Sequence, residues 1–220
     1  PASSRATSGR LGSFDLDRLL DTVAPIEDPE TGRWGIGVEE GGVHALEALV
    51  MARYYMFTQV YFNVTSKALE LHLGEWMRER GKIWPSDPER FLAEDDVTVL
   101  AELRADPSQH ARALVRREHF PLAYQTREHL STADRQRFEE LVRELEARFG
   151  ASNLLVSHSA KDPHRFSTSR LLVRRHDGAL EPMEQASHFI GHLRRIEQFR
   201  VYCRTELREA VTAAIRKRWE

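Results

Sequence analysis

The sequence has 220 residues, of which 41% are hydrophobic and 30% charged, with a formal net charge of −2. This is enough chain for one large domain or two small ones with a sizeable core. No run approaches the roughly 18 to 20 apolar residues that a membrane-spanning helix needs, the first 13 residues lack the apolar stretch of a secretory signal, and the single cysteine, Cys203, excludes an internal disulfide. We therefore expect a cytoplasmic protein without a membrane partner.

The charges are unevenly distributed. Residues 1–110 hold 11 Lys+Arg against 19 Asp+Glu, and residues 111–220 hold 21 against 15. An acidic first half and a basic second half favour self-association into a homo-oligomer, or a polyanion near the second half. Two solvated surfaces of opposite sign are the alternative.

The first part of the chain is predicted to be helical. Phe14–Val23 is predicted as a short helix with Ser13 as its N-cap, and Trp34–Glu39 alternates as a strand does. One long helix is then predicted over about 42–80, because this stretch has no proline and no glycine between Gly42 and Gly74. Its apolar residues recur at helical spacing of three and four, and they are Leu46, Leu49, Phe57, Val60, Val64, Ala68 and Leu71.

Arg53 interrupts this apolar stripe. Burying a guanidinium costs free energy unless an anion or a carboxylate meets it. Arg53 is therefore a candidate for contact with an anionic ligand. The alternative is a structural ion pair with Glu47 or Asp17.

The second part of the chain is predicted to contain strands as well as helices. Short helices are predicted over 91–103 and 108–116, and from residue 120 onward strands alternate with helices. The predicted order is strand 122–126, helix 131–149, strand 154–157, strand 170–175, helix 181–195, strand 199–203 and helix 205–219. After the two short helices this is the β-α-β-β-α-β order of a ferredoxin-like unit. The predicted fold is thus mainly α, a helical bundle (1–117) around the long helix, followed by a small α+β domain (118–220).

Three stretches carry a family resemblance: FDLDRLL at 14–20, ARYYMFTQVYFNVTSKALEL at 52–71, and FLAEDDVTVLAEL at 91–103, followed by Arg116-Arg117. Together they resemble the region after the catalytic core in HD-domain phosphohydrolases, a group that includes deoxynucleoside triphosphate triphosphohydrolases. The resemblance implies a mostly helical fold with an appended α+β portion. It also implies metal-dependent hydrolysis of a phosphate ester or a nucleoside triphosphate.

The resemblance implies roles for three residues. Arg53 falls where relatives place an arginine on the substrate phosphates, and Tyr61 falls where a tyrosine packs on the nucleotide sugar. Arg18 resembles a position that some relatives use for a regulatory nucleotide. The alternatives are a core tyrosine for Tyr61 and a plain surface arginine for Arg18. Asn63 stands where many relatives have histidine, so that contact is not transferred.

The family's metal ligands do not match this sequence. They are a histidine, an adjacent His-Asp pair and a later aspartate, and the last of them aligns just before residue 1. His176-Asp177 is such a dipeptide, but the following glycine predicts a turn. We therefore expect no catalytic residue and no metal ligand in this stretch, with a divalent metal only in the complete family fold. The alternative function is a non-catalytic nucleotide-binding or regulatory module.

The remaining motifs are weaker. His188 and His192 are spaced to share a helix face, and His158 and His164 flank a Lys-Asp-Pro loop, but no HExxH pattern or zinc cluster accompanies them. Basic doublets in the second half make a nucleic-acid backbone a conceivable partner. Few aromatic residues lie between them, so nucleic acid is not the favoured partner.

Overall fold

A computed structural model describes residues 14–162 and 171–219. The described residues divide into two compact units, the first comprising residues 14–62, 160–162 and 171–196, and the second residues 63–159 and 197–219. The predicted boundary after residue 117 falls inside the second unit.

The first unit holds a sheet with short helices around it. Its elements are α1 (Leu16–Thr22), β1 (Val23–Glu27), β2 (Trp34–Glu39), α2 (Val43–Tyr55), a π-helical segment (Met56–Tyr61), β5 (Leu172–Arg174), β6 (Leu180–Pro182), α8 (Met183–Ala186) and α9 (His188–Gly191). The strands lie in the order β1-β2-β5-β6. Its core is formed by Leu19, Val38, Val43, Leu46, Val50, Val173, Met183 and Ile190.

The second unit combines helices with a three-stranded sheet. Its elements are α3 (Val64–Arg80), α4 (Pro88–Leu92), α5 (Asp96–Ala105), α6 (Gln109–Val115), β3 (Leu122–Gln125), α7 (Thr132–Phe149), β4 (Leu154–Lys161), β7 (Ile196–Cys203) and α10 (Arg208–Trp219). The strand order is β3-β7-β4. Its largest apolar cluster includes Phe138, Leu141, Leu145, Leu154, Phe199, Val201, Val211 and Ile215.

The predicted single helix over 42–80 is interrupted, and this part of the prediction was wrong. The hydroxyl of Thr58 bonds to the carbonyl oxygens of Tyr54 and Tyr55, a competition with the helix backbone that Thr offers and Ala does not. The carboxamide of Asn63 then accepts from the backbone N–H groups of Thr65 and Ser66, which makes Asn63 the N-cap of a new helix. The prediction of one helix rested on the helix-favouring composition of residues 42–80 and did not take account of the N-cap at Asn63.

The predicted ferredoxin-like arrangement is also wrong. β5, its third predicted strand, pairs in parallel with β2 in the first unit through Val38 and Val173, so β3, β7 and β4 form a sheet without it. The predicted helix over 181–195 is two four-residue helices, because the hydroxyl of Ser187 caps the second by accepting from Ile190 N–H. The broader prediction, a mainly α chain with a C-terminal α+β portion, is confirmed.

Local capping signals placed several elements correctly. Ser131 and Asp134 form a reciprocal capping box at the start of α7, and the predicted strand Trp34–Glu39 has those bounds. The first helix is capped by Asp15; Ser13 lies outside the described residues. No helix in the described ranges is both long and apolar enough to span a membrane.

Two buried histidines join α3 to α6. The Nδ1 atoms of His72 and His110 are 2.8 Å apart, and the backbone N–H of Phe120 donates to Nε2 of His72 at 3.0 Å. Because Nε2 accepts, Nδ1 of His72 carries the proton and the ring is neutral. Burial, followed by the nearby charges of His110 and His119, lowers the pKa of His72 from 6.5 to about 4.

A buried carboxylate ties α3 to the turn after α5. Asp106 accepts from the indole N–H of Trp76 at 2.7 Å, from Arg80 at 2.6 Å and from the backbone N–H of Ser108 at 2.8 Å. Burial opposes ionisation, but these hydrogen bonds outweigh it and lower the pKa of Asp106 to about 2. The charge of Asp106 is therefore already compensated within the unit.

The neutral His72 makes stability depend on pH. Between pH 6.5 and about 4 the unfolded chain binds a proton at His72 that the folded chain does not, so the free energy of unfolding falls as the pH falls, by up to about 3 kcal/mol. Urea denaturation from pH 7 to 4.5 measures this slope. His72→Gln removes the titrating ring. We expect this variant to have a shallower dependence of the unfolding free energy on pH, corresponding to nearly one proton fewer bound on unfolding.

His176→Gln is the matched control, because this imidazole is 87% exposed, and it should leave the slope unchanged. An NMR titration of the wild-type His72 ring gives an independent reading, with a pKa below 5 expected. A His72 pKa above 6, or equal slopes for the wild type and His72→Gln, would contradict the neutral, buried ring.

Candidate functional site

Arg53 lies in the last turn of α2, half-buried. The carbon of its guanidinium is 5.2 Å from the centre of the Phe57 ring, one helical turn further on. This is a cation–π distance, and such a contact restricts the orientation of the guanidinium without using its N–H donors. The guanidinium of Arg53 therefore lies against the face of an aromatic ring.

Tyr61 packs on the same phenylalanine. Its ring centre is 5.4 Å from that of Phe57, and the residue is 56% exposed. Tyr61 is therefore not a core tyrosine. We call Arg53, Phe57 and Tyr61 the Phe57 cluster.

The backbone of this segment explains the cluster. Met56–Tyr61 is π-helical, and the N–H of Phe62 donates to the carbonyl oxygen of Phe57, five residues earlier, at 2.9 Å. Short π-helical segments are rare and are often found at functional sites. The two predicted substrate residues are thus brought together by a residue between them and by an irregularity that the sequence analysis did not predict.

One suggested partner of Arg53 has other contacts. Glu47 accepts from the hydroxyl of Ser187 and lies 2.9 Å from Nδ1 of His44. Burial raises the pKa of Glu47, but its hydrogen bonds with His44 and Ser187 prevail, and the net shift is downward. Glu47 is therefore an ionised carboxylate in a local network with His44 and Ser187.

Arg18 lies on the exposed side of α1. Its Nε–H donates to the carbonyl oxygen of Gly41 at 3.1 Å, and its backbone N–H donates to the capping Asp15. The side chain thus ties α1 to the turn after β2. A regulatory-nucleotide role for Arg18 stays a prediction.

The histidine candidates have protein partners. The rings of His188 and His192 lie in contact, tilted by 46° with their centres 4.2 Å apart, and Nδ1 of His192 bonds to the carbonyl oxygen of His188. His164 lies outside the described residues. Within residues 14–162 and 171–219, no three His, Cys, Asp or Glu side chains gather in a way that would hold a metal ion. The His176-Asp177 dipeptide forms the predicted turn, between β5 and β6.

A buried charge network in the second unit escaped the sequence analysis. Glu197 is 4% exposed and accepts from His158 at 2.7 Å and from Arg135 at 2.8 Å. The His158 ring also stacks on Phe199, 4.3 Å away. Burial raises the pKa of Glu197, but these two donors outweigh it and lower the value. Glu197 therefore anchors α7 and β4 to β7.

Comparison with known proteins identifies the family. The family model described as "HD associated region" matches residues 14–219. The chain therefore belongs to the HD-associated region family.

Individual relatives are longer than this chain. Bacillus subtilis (strain 168) protein YwfO is 30% identical over an alignment of 110 positions, which covers 46% of this chain and 24% of that protein. A hypothetical protein from Aquifex aeolicus has a similar crystal structure (TM-score 0.78, 24% identity, 97% of this chain and 55% of that one). So does a phosphohydrolase from Bacteroides thetaiotaomicron VPI-5482 (TM-score 0.58, 17% identity, 92% and 59%). These two likenesses show the fold, and the chain spans little more than half of each structure.

Proposed function

We propose that this chain is the part of an HD-type phosphohydrolase that forms one wall of the substrate pocket, with a phosphate ester or a nucleoside triphosphate as substrate. The family links the chain to HD proteins, and one structural neighbour is a phosphohydrolase. The observation that carries the proposal is the Phe57 cluster, in which a guanidinium and an exposed tyrosine share one aromatic neighbour.

Arg53 is the phosphate-binding residue in this proposal. A guanidinium presents a planar fork of N–H donors that matches phosphate oxygens. Phe57 contacts the guanidinium by its ring face, so a phosphate does not have to displace it. The half-buried position of Arg53 also strengthens its attraction for an anion relative to open solvent.

Tyr61 is the sugar-binding residue. Its exposed ring offers an apolar face to a ribose and a hydroxyl to the sugar's oxygens. The Tyr61 ring also packs against the ring of Phe57. The ligands for the divalent metal, which would activate water against the phosphate, come in this proposal from other sequence of the complete protein, because the described residues hold no suitable group of three.

The proposal predicts that Arg53→Ala weakens nucleotide binding more than it weakens folding. Charged hydrogen bonds contribute about 1.5–3 kcal/mol, so the Kd for dATP, measured calorimetrically in the natural full-length protein, should rise roughly tenfold to a hundredfold. Arg53→Lys keeps the charge but loses the fork, and should recover only part of the affinity.

Arg33→Ala, which removes an exposed arginine from the same unit, is the matched control and should change the Kd less than about twofold. A large loss of stability with an unchanged Kd would instead assign Arg53 to a structural ion pair.

A non-catalytic nucleotide-binding or regulatory module is the second candidate, favoured by the lack of a three-ligand group among the described residues. Release of phosphate or triphosphate from dATP, with and without Mn²⁺, separates the two. We expect none from the 220-residue chain and Mn²⁺-stimulated release from the full-length protein. No release from the full-length protein would favour the module, and robust release from the 220-residue chain would refute a separate source of metal ligands.

A further inference from the structure

The second unit contains a cleft lined by arginines. It has a volume of about 330 Å³ and lies between the end of α5 and the outer face of α6. Its lining residues are Leu103, Arg104, Ala105, Asp106, Pro107, Arg112, Val115 and Arg116. We call this the arginine cleft. Its volume is at the lower end of the range for small-molecule sites.

The cleft follows from helix geometry. Arg112 and Val115 lie on one face of α6, and Arg116, its C-cap with helical backbone angles, follows Arg112 by four residues and continues that face. Arg104 reaches the cleft from the last turn of α5. The short turn through Asp106 and Pro107 brings these two groups of side chains together.

The arginines of the cleft are weakly paired with carboxylates of the described residues. Neither Arg104 nor Arg116 makes a side-chain hydrogen bond or ion pair with any residue in the described ranges. Arg112 has only a long contact, 3.9 Å, with the half-exposed Glu118. Like charges four residues apart on a helix repel each other. An anion bound in the cleft would therefore reduce the electrostatic repulsion between Arg112 and Arg116.

The one carboxylate in the lining does not compensate them. Asp106 already accepts from Trp76, Arg80 and the backbone of Ser108. Together Arg80 and Asp106 form an ion pair without net charge, so the net charge of the lining comes from Arg104, Arg112 and Arg116. The surface of the cleft is therefore cationic, and its concave shape concentrates the field.

We propose that the arginine cleft binds a small molecule through a multiply charged phosphate group. Several forked donors suit phosphate oxygens better than a single carboxylate. The apolar lining, to which Leu103, Pro107 and Val115 contribute, leaves room for an organic portion beside the phosphate. The cleft lies wholly in the second unit, so this inference does not depend on Arg53 or on the proposed hydrolysis.

The test is an NMR titration of the arginine side-chain Nε–Hε signals with tripolyphosphate at about 0.15 M ionic strength, where distant charges are screened. We expect saturable shifts of Arg104, Arg112 and Arg116 with one common Kd. Arg104→Ala/Arg116→Ala should raise that Kd at least tenfold. Arg143→Ala/Arg216→Ala removes the same charge from two exposed arginines of the same unit and should change it less than twofold.

A parallel titration with ATP distinguishes the source of the phosphate. A lower Kd for ATP than for tripolyphosphate would assign the apolar lining to an organic group, and equal values would assign the cleft to inorganic polyphosphate; both support a phosphate site. Shifts that do not saturate, or an equal loss of affinity in the two double variants, would overturn the proposal, because either result means diffuse attraction to a basic surface.

Discussion

The structure of the candidate site depends on where helical hydrogen bonding stops between Tyr55 and Val64. The Thr58 hydroxyl competes for backbone carbonyls, a five-residue hydrogen bond closes at Phe62, and Asn63 caps the helix that follows. A continuous α-helix would have backbone hydrogen bonds between residues four apart throughout this stretch. The interruption instead creates a local segment with its own aromatic packing, and the Phe57 cluster is that packing.

The two proposed anion sites differ in how they would bind an anion. In the Phe57 cluster a single half-buried arginine is oriented by an aromatic ring, which suits a contact that must be precise in direction. In the arginine cleft, Arg104 and Arg116 have no carboxylate partner among the described residues and Arg112 has only a long contact with Glu118, an arrangement that attracts an anion by charge more than by direction. A substrate contact and an ancillary phosphate site are consistent with those respective designs.

Sequence signals that act over a few residues predicted several helix and strand positions, but they did not predict which strands pair. The Ser131 capping box and the alternation of Trp34–Glu39 were readable because caps and alternation act over a few residues. The pairing of β5 with β2 joins residues 135 positions apart, and nothing in either strand specifies that partner. Arg53 became a candidate because it is a cation in an apolar stripe, whereas Phe57 did not, because a phenylalanine in such a stripe is expected of a core residue.

Coupling between Arg53 and Phe57 in nucleotide binding is the most direct test of the central claim. In a double-mutant cycle on the Kd for dATP, Phe57→Leu removes the cation–π contact and should weaken binding roughly threefold to tenfold when Arg53 is present. In the Arg53→Ala background it should change the Kd less than twofold. Phe189→Leu, in the same unit, is the control. An equal effect of Phe57→Leu in both backgrounds would contradict the claim that the ring acts by orienting the guanidinium.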